Sequence, residues 1–297
     1  MPERLLHPGL MAPEPAGLVR SEWSGVPKGF EVYQLGPGER TLVVKASSRD
    51  ALLDAGVQDP RGLGSGPLVT RHLAGGRVRH ALVSTKGEEW VLKAYRRGGL
   101  LGRWNSERYW GSSRFLDELV VAAHAERSGV ATAEVLALIV ERAGLGSVRA
   151  WLVTRYLHGA KPLGDYFGTP EQRAVFRAAG QVVRRMHLAG IDHHDLHLGN
   201  IMGSLEDGRA QAYIVDWDRA RVLSDGAWSP YGNLSRLWRS VLKGRRKDEL
   251  AELSRPVRAF IRGYFDGSPA DLRETRAYIR RQAIWMSLRR VLRGDAR

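Results

Sequence analysis

The sequence predicts an α+β fold in two lobes, an antiparallel sheet with one inserted helix followed by a mainly helical part. Three observations predict it. Strand-length apolar runs divided by Gly and Pro turns fill residues 28–157, with a single helical interruption. Helical periodicity takes over after Gly159. That helical part is itself interrupted by a polar loop, His193-His194-Asp195-Leu196-His197-Leu198-Gly199-Asn200, and then by a hairpin ending in Ile214-Val215-Asp216-Trp217-Asp218.

Each element has its own signal. Residues 1–27 are proline-rich without sustained periodicity and read as a flexible extension. Phe30–Tyr33 and Thr41–Lys45 are strand-like, Ser48 caps a short helix stopped by Gly56, and 60–67 is a Gly-rich connection. Leu68–Leu73, Val78–Val83 and Trp90–Tyr95 form successive strands, turned at Gly75-Gly76 and Lys86-Gly87. Ser112 or Ser113 caps a helix through Arg127, with Phe115, Leu116, Leu119, Val120 and Ala123 on one face and Gly129 as its stop. Strands at Val135–Val140 and Val148–Leu157 complete the first lobe. Thr169-Pro170-Glu171-Gln172 is a capping box opening a helix through Phe176, Ala179, Val183 and Met186 to Gly190. Asn200–Met202 and Ala212–Val215 flank a polar turn at Leu205–Arg209, and helices resume at Leu234–Leu242, Val257–Tyr264 and Ala277–Leu292.

Composition narrows the function classes. A chain of 297 residues, 43% hydrophobic, is long enough for two lobes. It has no cysteine, which excludes disulfides, thiolate metal sites and Cys nucleophiles and fits a cytosolic protein. No apolar run reaches membrane-spanning length, and the first residues lack the layout of a secretory signal. The formal charge is +14, and from Arg236 onward 17 Lys and Arg face 7 Asp and Glu. Arg96, Arg97, Arg103, Arg108 and Arg114 form a second basic run. Such a field draws polyanions or anionic lipid headgroups, although a solvated Arg-rich surface would read the same way.

The polar loop fits the H-x-D-L-x-x-x-N catalytic loop of protein-kinase-like phosphotransferases, so the expected architecture is bilobal and kinase-like, with an N-lobe over 28–157 and a C-lobe over 158–297. Phosphoryl transfer needs positioned phosphates, Mg²⁺ and an oriented hydroxyl. Asp195 is placed to accept or orient the acceptor hydroxyl's proton, while Asn200 and Asp216 are placed to hold the metal. His193 is the scaffold member of the catalytic set, packing the loop through backbone near Asp216. His197 either touches substrate or is structural. Lys93 in Val91-Leu92-Lys93 matches the strand lysine that reaches the α- and β-phosphates of ATP, with Glu118, or alternatively Asp117, as its carboxylate. Gly75 and Gly76 stand where a phosphate-covering loop belongs, without the full glycine pattern. Asp218 either contacts substrate or caps the next turn, and the lack of a Gly after Asp216-Trp217 points to a fixed site.

These motifs, with Tyr95-Arg96-Arg97-Gly98-Gly99-Leu100 and Asn233-Leu234-Ser235-Arg236-Leu237-Trp238-Arg239-Ser240, resemble the lipopolysaccharide core kinases over about residues 28–245. Within that family the resemblance is greatest to kinases of 3-deoxy-D-manno-octulosonic acid (Kdo). It implies ATP- and Mg²⁺-dependent phosphorylation of a Kdo hydroxyl on a lipid A precursor, at the cytoplasmic face of the inner membrane. Arg97 or Arg103 would then bind an acceptor phosphate or carboxylate, if that loop does not simply pack between lobes. His194 and Trp217 depart from the family's usual residues, and neither 1–27 nor the basic tail has a counterpart in it. A heptose kinase of the same core, a small-molecule kinase of the aminoglycoside or choline type, and a pseudokinase or basic binding module are the competing readings. The basic excess opposes the small-molecule reading. The intact Lys93, Asp195, Asn200 and Asp216 oppose loss of catalysis, and no aromatic-rich signature calls for a specific nucleic acid.

Overall fold

Runs of Val, Leu, Tyr and Trp make strands, and the first unit is built from them, with β-branched and aromatic side chains buried along continuous stretches of the central ones. A computed structural model describes residues 17–36, 39–75, 78–85, 87–96, 108–223, 230–243 and 253–265. In chain order the first elements are β1 (Leu18–Ser21), β2 (Phe30–Leu35), β3 (Arg40–Lys45), α1 (Arg49–Asp54), α2 (Pro60–Ser65), β4 (Val69–Gly75), β5 (Val78–Ser84), β6 (Glu89–Ala94) and β7 (Tyr109–Trp110). They continue with α3 (Ser113–Arg127), β8 (Val135–Arg142) and β9 (Ser147–Arg155). The strands form one sheet in the order β1-β2-β3-β8-β9-β6-β5-β4, with β7 paired to β9. Leu42, Leu52, Val57, Leu63, Trp90 and Leu92 pack in its core, so α1 and α2 cover that face.

The chain divides into two compact units, residues 1–112 with 136–153, and residues 113–135 with 154–297. Helix α3 belongs to the second. Two expectations for the first unit change. Leu18, in the stretch read as a loose extension, is buried, and its strand pairs antiparallel with β2 from Leu18↔Leu35 to Ser21↔Val32. The Gly-rich connection is partly the helix α2, with Pro60 at its start and Leu63 anchoring it in the core. Gly64 allows this, since a Cβ there would come within 3.2 Å of Leu92 Cδ2.

The second unit adds β10 (Lys161–Pro162), α4 (Gln172–Leu188), β11 (Ile191–Asp192), β12 (Ile201–Glu206), β13 (Arg209–Ile214), β14 (Arg221–Val222), α5 (Tyr231–Leu242) and α6 (Ser254–Phe265). Helix α4 buries Phe176, Ala179, Val183 and Met186, as its periodicity predicts. Its start differs from the expected capping box. Thr169 turns its hydroxyl to the Tyr166 carbonyl, the helix begins at Gln172, and Gln172 Oε1 accepts from Gly168 N–H. Gly180 and Gly263 let α4 and α6 meet backbone to backbone. A Cβ on Gly180 would collide with the Phe260 carbonyl, and one on Gly263 with that of Arg177.

The buried side of α3 keeps the expected Phe115, Leu119 and Ala123 and is wider than expected. It also takes in Glu118, Val121, Ala122 and Ala125, while Leu116 and Val120 are only half-buried. The helix expected at Ala277–Leu292 lies outside the described residues. No helix among the described residues is long and apolar enough to cross a membrane.

Candidate active site

The loop after β11 is held by its own backbone. His194 sits at φ 56°, a left-handed conformation unfavourable for a side chain with a Cβ. The turn this makes lets Asp195 N–H donate to the His193 carbonyl at 2.6 Å. Asp192 accepts from His194 N–H at 3.2 Å and faces His194 Nε2 at the same distance. The Asp195 side chain emerges 67% exposed, open to an incoming hydroxyl. Asn200, buried, donates from Nδ2 to the Asp195 carbonyl at 3.0 Å, which spans the loop. His197 accepts from Gly199 N–H through Nδ1, so its other nitrogen carries the proton, 4.0 Å from Asp195 Oδ2. This accounts for His197 as a cap of the short turn at Leu198–Asn200.

The hairpin brings Asp216 to this loop. Strands β12 and β13 pair from Ile201↔Ile214 to Glu206↔Arg209, with Asp207 and Gly208 both at positive φ in the tight turn. Val215 N–H donates to the Asn200 carbonyl at 3.0 Å, so the residue before Asp216 is tied to Asn200. His193 is fully buried and bonds the Val215 carbonyl through Nε2 at 3.2 Å, its ring 5.3 Å from that of Trp217. Burial pushes its pKa below the ordinary value and favours the neutral ring. Asp216 and Arg219 are held at φ 65° and 67°. Trp217 Nε1–H donates to Thr132 Oγ1 at 2.9 Å, and Asp218 accepts a two-pronged bond from Arg114 Nε (2.7 Å) and Nη2. Asp218 is thus tied to a helix, an arrangement that neither a substrate contact nor a turn cap anticipates.

Helix α5 supports the loop from behind. Ser240 Oγ accepts from Leu198 N–H at 3.1 Å, and Arg236 lies 3.7 Å from Asp192 Oδ1. Arg236 also bonds Asn233 Oδ1 at 3.4 Å, and Asn233 Nδ2 contacts His187 Nε2 at 3.3 Å. His187 Nδ1 completes the chain to Tyr264 Oη at 2.7 Å. The Asn233–Ser240 motif therefore does structural work here. Arg114, Thr132, Arg236 and Ser240 escaped the assignment of individual site residues. The last two had a signal in their place in that motif, and Arg114 one in the basic run it closes; Thr132 had none.

In the first unit Lys93 lies on β6 with Nζ 5.2 Å from the centre of the Tyr95 ring, and Gly75 ends β4. Glu118 is buried in α3, while its alternative Asp117 is exposed. Gly76, Arg97 and Arg103 lie outside the described residues.

Asn200 and Asp216 suit a hard cation in donor chemistry. The amide nitrogen of Asn200 is committed to the Asp195 carbonyl, so Oδ1 is the atom it could offer a cation, as Asp216 could offer a carboxylate. Two oxygen side chains with phosphates and water are a usual Mg²⁺ set. Among the described residues no cluster of three or more His, Cys, Asp or Glu could hold a metal.

The model of the lipopolysaccharide kinase (Kdo/WaaP) family matches residues 70–264. The 3-deoxy-D-manno-octulosonic acid kinase of Vibrio cholerae serotype O1 is 31% identical over 175 residues, 57% of this chain and 72% of that protein. The kinase of the same name from Xanthomonas euvesicatoria is 30% identical over 195 residues, 64% of this chain and 77% of its own. Among solved structures, WaaP in complex with acyl carrier protein aligns with a TM-score of 0.53 at 19% identity, over 84% of this chain and 97% of that one. An amicoumacin kinase in complex with AMP-PNP and Ca²⁺ aligns at 0.50 and 14% identity, over 74% and 80%. The fold is the α+β protein-kinase-like one.

Proposed function

The chain belongs to the lipopolysaccharide kinase (Kdo/WaaP) family and is a phosphotransferase acting on a sugar hydroxyl of the lipopolysaccharide core; from that premise we propose that its acceptor is Kdo on a lipid A precursor. The observation that carries this is the similarity to two Kdo kinases over most of their length, joined to a loop whose Asp195 is exposed while Asn200 bonds the Asp195 carbonyl and Val215, next to Asp216, bonds Asn200.

In this mechanism the Asp195 carboxylate hydrogen-bonds the acceptor hydroxyl and takes its proton as the oxygen bonds to the γ-phosphorus of ATP. The bond from that phosphorus to the β,γ-bridging oxygen breaks, and ADP leaves with the electron pair. Asn200 Oδ1 and the Asp216 carboxylate would hold Mg²⁺, which when bound neutralises charge on the phosphates. Lys93 would bind the α- and β-phosphates, and Gly75 and Gly76 would contact the nucleotide. The neutral, buried His193 holds the loop to the segment that carries Asp216 through the Val215 carbonyl. Arg97 or Arg103 contacts acid groups of the acceptor. The +14 charge draws the protein to the anionic cytoplasmic face of the inner membrane, where such an acceptor resides.

The test incubates the purified full chain with Mg²⁺–ATP and either Kdo–lipid A or a heptosylated core acceptor, with Asp195→Ala as control. A gain of one phosphate on Kdo–lipid A, absent in the control, is the expected result. Transfer only to the heptosylated acceptor would move the substrate outward along the core and overturn the assignment.

A further inference from the structure

We propose that the first unit carries a membrane-insertion tip, in which Trp110 and Leu145 enter the headgroup layer of an anionic bilayer. Strand β7 pairs with the start of β9, Tyr109↔Val148 and Trp110↔Ser147, and Leu145 lies in the turn between β8 and β9. Side chains alternate along β7, so Tyr109 is buried and Trp110 turns outward, 73% exposed. The Trp110 ring lies over Gly146, with Cζ3 3.9 Å from where a Cβ on that glycine would stand. Leu145, the residue before Gly146, is 90% exposed.

The turn holds that leucine outward. Gly144, Leu145 and Gly146 all have positive φ, at 82°, 51° and 71°. The two glycines take this geometry freely, whereas a leucine adopts it rarely. Ser147 fixes it. Its carbonyl accepts from Ala143 N–H at 2.8 Å, and its own N–H and hydroxyl both donate to the Gly144 carbonyl, at 3.0 and 2.6 Å. A leucine here costs backbone strain and contact with water, and it adds nothing to the core. Transfer of its side chain into lipid removes the second of those costs.

A lipid surface fits this tip better than another protein does. Two side chains so exposed offer roughly 300 Å² of apolar surface, well short of the about 800 Å² per partner that a stable protein interface buries. A Trp beside an aliphatic side chain suits the boundary between headgroups and acyl chains. Arg108 precedes Trp110 by two positions, and the exposed Arg142 precedes Leu145 by three. The exposed Glu39 stands across from Arg142 and accepts from its N–H, so the attraction to anionic lipid is that of the whole +14 chain. The tip rests on the membrane association proposed above and adds the point of entry.

The full chain contains no cysteine, so Leu145→Cys provides a single thiol for an environment-sensitive fluorophore. Ser47→Cys is the control, because Ser47 is exposed beyond the far end of β3, whose near end pairs Arg40 with Glu141. Each labelled protein is mixed with phosphatidylcholine vesicles, with or without phosphatidylglycerol. On the phosphatidylglycerol vesicles the label at position 145 should brighten and be quenched by nitroxide-bearing lipid, and the label at position 47 should do neither. In flotation, Trp110→Ser should weaken partition to those vesicles by roughly tenfold. Neither acceptor nor nucleotide is present, so the result is independent of whether Kdo is the acceptor. Vesicle binding unchanged in Trp110→Ser, with position 145 still in water, would leave the electrostatic attraction standing and overturn the tip. Binding to neither vesicle would overturn the tip and the membrane association together. Self-association without lipid, seen by light scattering and abolished by Trp110→Ser, would give this surface to a second copy and also overturn it.

Discussion

His187 makes the folded chain sensitive to acid, and the size of the effect follows from its surroundings. Its side chain is buried between Tyr264 and Asn233, and the Asn233 amide donates to Nε2. The ring must therefore stay neutral, with its proton on Nδ1 facing Tyr264. A second proton on Nε2 would meet the Asn233 N–H group head-on. Burial, with a smaller contribution from the nearby His193, lowers the pKa from 6.5 to about 3. The base is harder to protonate when folded, so stability is full above about pH 6.5 and falls as pH drops toward 3. At about pH 5 the unfolded chain is almost fully protonated at this site and the folded one almost not. The gap from 6.5 to 5, at about 1.4 kcal/mol per pH unit, amounts to about 2 kcal/mol. Urea denaturation followed by circular dichroism, near pH 7.5 and near pH 5, measures it. His187→Leu should be less stable than the parent at both, because Asn233 and Tyr264 lose a partner, yet its loss between them should be smaller by about 2 kcal/mol. His193, shifted in the same direction, retains its share in both proteins. An equal fall in parent and variant would refute this account of the His187 network.

Three further outcomes test how the site is braced. Arg114→Met removes the fork on Asp218; charge-assisted bonds discounted for an Arg that is 39% exposed suggest a loss of about 1–2 kcal/mol. Because Asp216 lies two residues away in a strained conformation, the same variant should raise the Mg²⁺ needed for half-maximal transfer several-fold, seen in a metal titration of activity. Ser240→Ala leaves Leu198 N–H without its acceptor and should cost about 1 kcal/mol, with kcat lowered by roughly fivefold and KM for ATP unchanged in steady-state assays. Gly263→Ala drives a methyl group into the Arg177 carbonyl and should destabilise by at least about 2 kcal/mol in thermal melts, because backbone cannot yield as a side chain does.

What could be read in the chain alone was local. Periodicity placed β5, β6, α3 and α4 within a few residues, because a buried face imposes its repeat on the residues that make it. The loop at 193–200 and the hairpin that leads to Asp216 were legible because a motif and a turn signal are written in short stretches of chain. Errors fell where the deciding partner is distant. The α2 turn depends on Leu63 and Gly64 meeting the core beside Leu92, and the start of α4 depends on the Tyr166 carbonyl attracting Thr169. The true stripe of α3 includes a carboxylate that no apolar count would bury.

The order of elements, the phosphotransfer motif and the basic charge were thus determined by the sequence itself, through short-range sterics, periodicity and composition. Tertiary structure alone decided the rest. It joined Arg114 to Asp218 across 104 positions, seated Leu198 on Ser240, and gathered Arg40, Arg61 and Arg149 on Glu141. Such pairings depend on which surfaces the packed core brings within hydrogen-bonding distance, and no periodicity along the chain encodes that.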